Sequence, residues 1–174
     1  SIKKMPETMF AKEGRRMINI LKSRRGHLKQ ASGEYYNLLF EYIRIWGTEK
    51  KDFAHIKRLN DKEVEVSLFE YDKKSGKRKK EPYFNNVYTR DLTKEIRVFL
   101  LDEDDEAFVE GNVESSITVI VSGGKGENKL VDNSNVEGYF WSVIPFIPQA
   151  ERETFFYVAD DNSEIVKGNS TVVR

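Results

Sequence analysis

Two similar stretches of the sequence decide the fold: residues 95–109 read EIRVFLLDEDDEAFV, and residues 116–131 read SITVIVSGGKGENKLV. Each starts with a run of strand-forming apolar residues, continues through a polar turn and ends in a short second apolar run. Ile96 precedes Ile117 by 21 residues. Such a period is typical of a solenoid, whose units stack because none can bury its inner face alone. We therefore expect Ile96 and Ile117 to lie in adjacent parallel strands.

Two further observations extend this pattern. Phe108 precedes Leu130 by 22 residues, so the second half of each unit keeps nearly the same spacing. Upstream, residues 45–56 (IWGTEKKDFAHI) read as a weaker copy of the same strand, turn and strand. The pattern predicts a short parallel β-solenoid, or β-roll. The alternative is an antiparallel β-sandwich, in which the same strands would pair as hairpins.

The first 45 residues have helical rather than strand periodicity. Apolar residues recur at spacings of three, four and seven, and Gly26 in the basic run 22–26 is expected to end a first helix. A second helix is predicted from the 3-4-3-4-3 spacing of Leu28, Ala31, Tyr35, Leu38, Tyr42 and Ile45. We expect this helical pair, residues 1–46, to pack on the strands and cover one end of the stack.

Residues 47–174 are predicted to be rich in β-structure. Val64, Val66 and Leu68 alternate with polar residues, and residues 83–88 read as the return strand of a hairpin whose polar loop spans residues 73–80. The fold class is therefore α+β, mainly β, with both regions in one compact unit. That loop is basic, but it lacks the interleaved aromatic residues that stack on nucleic-acid bases.

Composition excludes several classes of protein. The chain of 174 residues has no cysteine, so disulfide frameworks, zinc ribbons and thiol catalysis are excluded. Its formal net charge is zero, which favours neither nucleic acid nor anionic lipid as a partner, and any membrane contact would be peripheral. Only two histidines are present, and no phosphate-binding loop or G-x-S-x-G motif occurs. We therefore predict that the chain is not an enzyme, and its start at Ser1 without an initiator Met leads us to expect a piece of a larger protein.

The turn at residues 123–131 carries the clearest ligand motif. It matches the calcium-binding nonapeptide G-G-x-G-x-D-x-U-x except for Asn at the Asp position. The acidic turn one unit earlier would lie beside it and could supply carboxylate oxygens. The predicted ligands are Asp102, Asp104, Asp105, Gly124, Gly126 and Asn128. A solvated turn without calcium and a hydrolase that uses the acidic turn remain the other interpretations, and no other cofactor is predicted.

Residues 139–148 are dense in aromatic and apolar side chains but are interrupted by two prolines, which excludes a central strand. One interpretation is a C-terminal segment that covers the last unit of the stack. The other is an exposed patch that docks on another domain. The candidate interaction residues are Tyr139, Phe140, Trp141 and Phe146.

Seven short motifs occur in an order that resembles a known family. They are Met5-Pro6-Glu7, residues 21–25 (LKSRR), Glu34-Tyr35-Tyr36, residues 47–50 (GTEK), residues 58–61 (RLND), residues 93–97 (TKEIR) and residues 123–126 (GGKG). In this order they resemble an uncharacterised region of large envelope proteins from Bacteroidetes-type bacteria. That region precedes an outer-membrane β-barrel of the surface-antigen (BamA-like) type, and some members carry a calcineurin-like phosphoesterase domain upstream.

The resemblance implies a periplasmic or cell-surface location, associated with the outer membrane. It also implies a role in linking or positioning other domains of the same polypeptide, such as the barrel. No catalytic residue follows from it. The sequence departs from the family pattern at the acidic turn, residues 101–105, where a glycine-rich turn is expected, and at residues 138–152, which resemble an insertion.

Overall fold

The computed structural model describes residues 4–72, 74–137, 154–159 and 162–174. The chain divides into two compact units, Ser1–Phe40 and Glu41–Arg174, where the sequence predicted one unit with a boundary after residue 46. The fold is α+β, with one N-terminal helical segment and strands in two sheets. The elements are α1 (Glu7–Met9), a π-helical turn (Phe10–Gly14), α2 (Arg15–Glu41), β1 (Tyr42–Trp46), β2 (Asp52–Asn60), β3 (Glu63–Glu70), β4 (Phe84–Thr89), β5 (Glu95–Phe99), β6 (Glu106–Val113), β7 (Thr118–Ser122), β8 (Lys129–Val136), β9 (Thr154–Tyr157), β10 (Glu164–Val166) and β11 (Thr171–Val173).

The predicted helical pair is wrong, because α2 runs without interruption through Gly26. A glycine inside a helix costs about 1 kcal/mol, and the good helix formers around it, among them Leu21 and Leu28, offset that cost. The predicted second helix also extends too far, to Ile45, whereas α2 ends at Glu41. Tyr42 and Ile45 belong to β1, whose sequence YIRIW alternates between exposed and more buried positions as a strand requires. The packing of the helical segment on the strands stays a prediction.

Strands after α2 are distributed between two sheets. Sheet A contains β1-β5-β7-β9-β11, and sheet B contains β10-β8-β6-β2-β3-β4. All neighbours in sheet A are parallel. In sheet B, β2, β6, β8 and β10 are parallel neighbours, and β3 and β4 join as antiparallel strands. From β4 onward, successive strands alternate between sheet A and sheet B.

The two stretches that decide the fold do form adjacent parallel strands, so the antiparallel sandwich is wrong. Their register differs from the expected one: Ile96 pairs with Val119 rather than with Ile117. In sheet B, Phe108 pairs with Val131 rather than with Leu130. The offset is therefore 23 residues in both sheets.

The weaker upstream copy has the same arrangement. Within residues 45–56, the strands β1 and β2 flank a turn, and they pair in parallel with β5 and β6 respectively. The predicted hairpin is also present, because β3 pairs antiparallel with β4 and Val64 lies opposite Tyr88. This hairpin extends sheet B beyond β2.

One hydrophobic core joins the two sheets. Successive strands place equivalent residues side by side, so Ile45, Val98 and Val121 form one buried row in sheet A. Ala54, Ala107 and Leu130 form the corresponding row in sheet B. Burying one such side chain contributes about 1.5–3 kcal/mol for the larger residues. These rows position the polar turns that connect β1 to β2, β5 to β6 and β7 to β8.

The predicted interaction residues Tyr139, Phe140, Trp141 and Phe146 lie outside the described residues. Among the described residues, no helix is long and apolar enough to cross a membrane.

Candidate functional site

A row of buried polar side chains follows the turns where the chain enters sheet B. Asp52, Asp105 and Asn128 occupy equivalent positions immediately before Phe53, Glu106 and Lys129, which are register partners. The N–H of Asp52 donates to Asp105 Oδ1 at 2.7 Å, and the N–H of Asp105 donates to Asn128 Oδ1 at 3.0 Å. The side chains of Asp105 and Asn128 thus each accept a hydrogen bond from the backbone of the preceding turn. We call these three residues the acid ladder.

The acid ladder continues to the last described turn, because the N–H of Asn128 donates to Ser163 Oγ at 3.2 Å. Asp52 and Asn128, the first and last residues of the acid ladder, differ in the other hydrogen bonds of their side chains. Asp52 Oδ2 accepts from the N–H of Thr48 at 2.5 Å and from its hydroxyl at 3.0 Å. Asn128 instead donates through Nδ2 to the carbonyl of Gly126, 3.1 Å away. The row therefore ties four turns together through side chains that are not interchangeable.

Asp105 has an unusual environment for a carboxyl group. It is fully buried, and its Oδ2 has no hydrogen-bond partner, as is also true of Asp52 Oδ1. Burial raises the pKa of Asp105 to about 7, and the charges of Asp52 and Glu103 add to this effect. The N–H of Asp52 and the charge of Lys51 act in the opposite direction. Near neutral pH this group is therefore poised between its neutral and charged forms.

The structure brings together most of the predicted calcium ligands. Asp105 and Asn128 are bonded in the acid ladder, and Asp104 Oδ1 accepts from the N–H of Glu127 at 2.9 Å. Asp102 is exposed. Among the described residues, no group of three or more His, Cys, Asp or Glu side chains is arranged to hold a metal ion. The turns lie side by side as predicted, while calcium itself stays a prediction.

Gly124 and Gly126 have positive φ angles, 67° and 105°, which glycine adopts without strain. Both glycines also lie against the neighbouring turn. A Cβ at Gly124 would overlap the carbonyl oxygen of Leu101, and one at Gly126 would overlap that of Glu103. The glycines therefore serve the close approach of adjacent turns as well as the turn conformation itself.

A second polar cluster lies at the other end of the core, and sequence reasoning missed it. Arg58 on β2 is only 3% exposed. Its guanidinium donates to Ser116 Oγ at 2.5 Å, to the Ile117 carbonyl at 3.0 Å and to Thr154 Oγ1 at 2.8 Å. Its Nε donates to Ser134 Oγ at 3.3 Å. One side chain thus binds residues that precede β7, begin β9 and belong to β8.

Asp132 completes this cluster, which we call the Arg58 network. Its Oδ1 accepts from the N–H of Ser134 at 2.8 Å and from Ser134 Oγ at 2.6 Å. Its Oδ2 accepts from Thr171 Oγ1 at 2.6 Å. Ser134 therefore bridges a buried cation and a buried carboxylate. The available signal was the alternation of Ala54, Ile56 and Arg58, which places all three on the inner face of one strand.

Comparison with known proteins gives no family. No family model matches the chain, and no curated protein or solved structure is significantly similar to it.

Proposed function

We propose that this chain is a short parallel β-solenoid of the β-roll type, acting as a non-catalytic structural or interaction module. The observation that supports it best is the acid ladder, in which the side chain of each unit binds the backbone of the unit before it. Such a row gains its hydrogen bonds only when units stack in a fixed register. The alternation of strands between sheet A and sheet B supports the same architecture.

The proposed role is to link or position neighbouring domains of an exported bacterial envelope protein, in the periplasm or at the cell surface. The interior polar groups favour a structural role over catalysis. Asp105 is fully buried and accepts a hydrogen bond from the backbone, so it offers a substrate no access to its carboxyl group. The location and the partner domains follow from the family resemblance of the sequence.

Deleting one whole unit tests this proposal. Removal of residues 106–128 joins Asp105 to Lys129, the register partner of Glu106, so that β8 would take the place of β6. In a solenoid each unit contacts its neighbours alone, so the shortened protein should still unfold cooperatively, at a lower Tm. Circular dichroism during heating measures this. In cells, the parent protein with the same deletion should remain in the envelope fraction.

The control deletes residues 106–117, about half a unit. This joins Asp105 to Thr118 and would direct β7 into sheet B, with every later strand in the wrong sheet. It should abolish the cooperative transition. Equal damage by both deletions would contradict the solenoid, and recovery of the intact parent protein from the cytosolic fraction would contradict the envelope role.

A calcium-stabilised β-roll is the second candidate. The positive φ angles of Gly124 and Gly126 favour it, together with the position of Asp104 beside the glycine turn. It predicts a Tm that rises in millimolar calcium relative to chelator, because a ligand that binds only the folded state stabilises it. The rise should disappear in Asp104→Ala. An identical Tm with calcium and with chelator would remove this candidate.

A further inference from the structure

The outward face of sheet A is rich in aromatic residues and arginine. Its described residues are Tyr42, Arg44 and Trp46 on β1, Glu95, Arg97 and Phe99 on β5, Thr118, Ile120 and Ser122 on β7, Phe155 and Tyr157 on β9, and Val172 and Arg174 at the last strand. Five of them are aromatic and three are arginine, and none is lysine or aspartate. Enrichment in aromatic residues and arginine with depletion of lysine and aspartate is the composition of protein–protein interfaces.

The aromatic part of this face is centred on Trp46. Trp46 is 57% exposed although it is one of the largest apolar side chains, and Tyr42 on the same strand is 48% exposed. The ring of Trp46 stacks on Phe99, with centroids 4.3 Å apart and planes inclined by 17°. Phe99 therefore packs against one face of the indole and leaves the other face accessible. A large, rigid and exposed aromatic ring is the usual energetic centre of an interface.

The charged part of the face lies two residues before Trp46 and Phe99 on the same two strands. Arg44 and Arg97 are register partners, so their side chains leave the sheet next to each other. Like charges in that arrangement repel each other. Arg97 has Glu95 of its own strand within 2.5 Å, whereas Arg44 is exposed. Two adjacent guanidinium groups with one nearby carboxylate complement an acidic ligand, since guanidinium binds carboxylate in a two-pronged geometry.

Strand β1 also lies at the end of sheet A, paired with β5 on one side and with no strand on the other among the described residues. A strand edge without a neighbouring strand can accept an extended peptide through its main-chain groups. Side chains of an added strand alternate with the period of β1, so two residues at positions i and i+2 would lie beside Arg44 and Trp46. A polysaccharide could use the arginines and the indole but not the main-chain edge.

From these observations we infer that the outward face of sheet A at β1 binds an extended acidic peptide segment, with a carboxylate beside Arg44 and a bulky apolar side chain beside Trp46. This partner class rests on the proposed interaction role and makes it more specific. It is separable from that role, because the deletion experiment measures stacking of the units and does not involve binding at β1.

A labelled random copolymer of Glu and Tyr is a suitable probe, with fluorescence anisotropy as the readout at physiological salt. The copolymer should bind saturably, and Arg44→Glu and Trp46→Ala should each weaken binding by roughly tenfold or more. Lys57→Glu is the matched control, since it reverses a charge on the outward face of sheet B. It should change the affinity by less than about twofold. Deuterium uptake across residues 42–46 should fall when the copolymer binds.

Binding of three other polymers determines which class of ligand the site prefers. Poly-L-glutamate should bind more weakly than the copolymer because it lacks the ring for Trp46, and poly-L-lysine should not bind. Tighter binding of polygalacturonate would overturn the peptide assignment in favour of an acidic polysaccharide. The inference also fails if the copolymer does not bind, if Arg44→Glu and Trp46→Ala bind it as well as the parent chain, or if protection from deuterium exchange falls on sheet B.

Discussion

Replacing Arg58 with Met should lower the free energy of unfolding by about 3–5 kcal/mol, because removal of one member of a buried charged network leaves the other members unsatisfied. The acceptors left without this donor are Ser116 Oγ, Ser134 Oγ, the Ile117 carbonyl and Thr154 Oγ1. An unpaired buried acceptor costs about 1–3 kcal/mol, and these costs accumulate in a site that water does not reach. Urea unfolding followed by circular dichroism measures the difference.

Two further substitutions make the Arg58 experiment specific. Lys57→Met changes the neighbouring residue on β2, whose amino group lies 3.6 Å from Glu110 on the exposed side of the strand. An exposed ion pair contributes at most about 1 kcal/mol, so this variant should be close to the parent chain. Arg58→Lys keeps the charge but lacks the planar fork that reaches several acceptors, and it should also be destabilised. Full stability of Arg58→Met would show that the network does not support the fold.

Much of the β-structure could be predicted from the sequence, because its signal is local. The apolar runs at residues 95–101 and 117–121 alternate with turns rich in acids or glycine, and those features suffice to define a strand, a turn and a second strand. The stacking of these units in parallel also follows, since no single unit can bury its inner face alone. The resulting prediction of adjacent parallel strands for the two stretches is confirmed.

The register could not be predicted from similarity of apolar residues. Ile96 and Ile117 look equivalent, yet the side chain that aligns with Ile96 is Val119. What sets the register is the acid ladder, because Asp105 and Asn128 must each reach the backbone of the preceding unit. Their separation of 23 residues was present in the sequence, but a buried aspartate and a solvated one look identical in it.

The helical region shows a different limit. A glycine at position 26 and apolar residues that keep a helical spacing up to Ile45 fit a pair of helices. They fit a single helix followed by a strand equally well. Tyr42 and Ile45 fit a helical spacing of three, while Ile43 and Ile45 fit a strand spacing of two. The pairing of β1 with β5 decides between them, and that contact joins residues more than fifty positions apart.

The candidate site was predicted only in part, because some of its contacts follow from the local pattern and others depend on the tertiary fold. The turns that carry Asp104, Gly124 and Gly126 were expected to be adjacent, and their contacts follow from the stacking. Arg58 was not identified, because a charged residue in a strand is usually placed on the outward face. The serines and threonine that surround it come from distant segments, so their convergence on one guanidinium is a property of the tertiary fold alone.

Replacing Asp105 with Asn should stabilise the protein at neutral and higher pH. In the parent chain the folded state keeps the Asp105 proton up to a pH of about 7, whereas the unfolded chain releases it near 4. Between these values the folded state binds more protons, so stability falls as pH rises from about 4 to about 7 and is constant above. Titration of Asp105 can change the free energy of unfolding by at most about 1.4 kcal/mol per pH unit.

Asn128 shows why an amide fits this position. In the next unit it accepts the ladder hydrogen bond through Oδ1 and donates through Nδ2 to the Gly126 carbonyl, 3.1 Å away. The corresponding carbonyl for residue 105 is that of Glu103. In Asp105→Asn, the amide Nδ2 would take the place of Asp105 Oδ2, which has no hydrogen-bond partner, and could donate to this carbonyl. Asp105→Asn should therefore keep the ladder without a titrating group.

Thermal unfolding between pH 4 and pH 8 tests this expectation. Asp105→Asn should have the higher Tm at pH 8, and the difference should shrink or reverse toward pH 4, where the parent carboxyl is already neutral. Asp104→Asn is the matched control, because this substitution removes the same charge one residue away, at an exposed position. A lower Tm of Asp105→Asn at pH 8, or an equal gain in Asp104→Asn, would show that the buried position of Asp105 does not control this pH dependence.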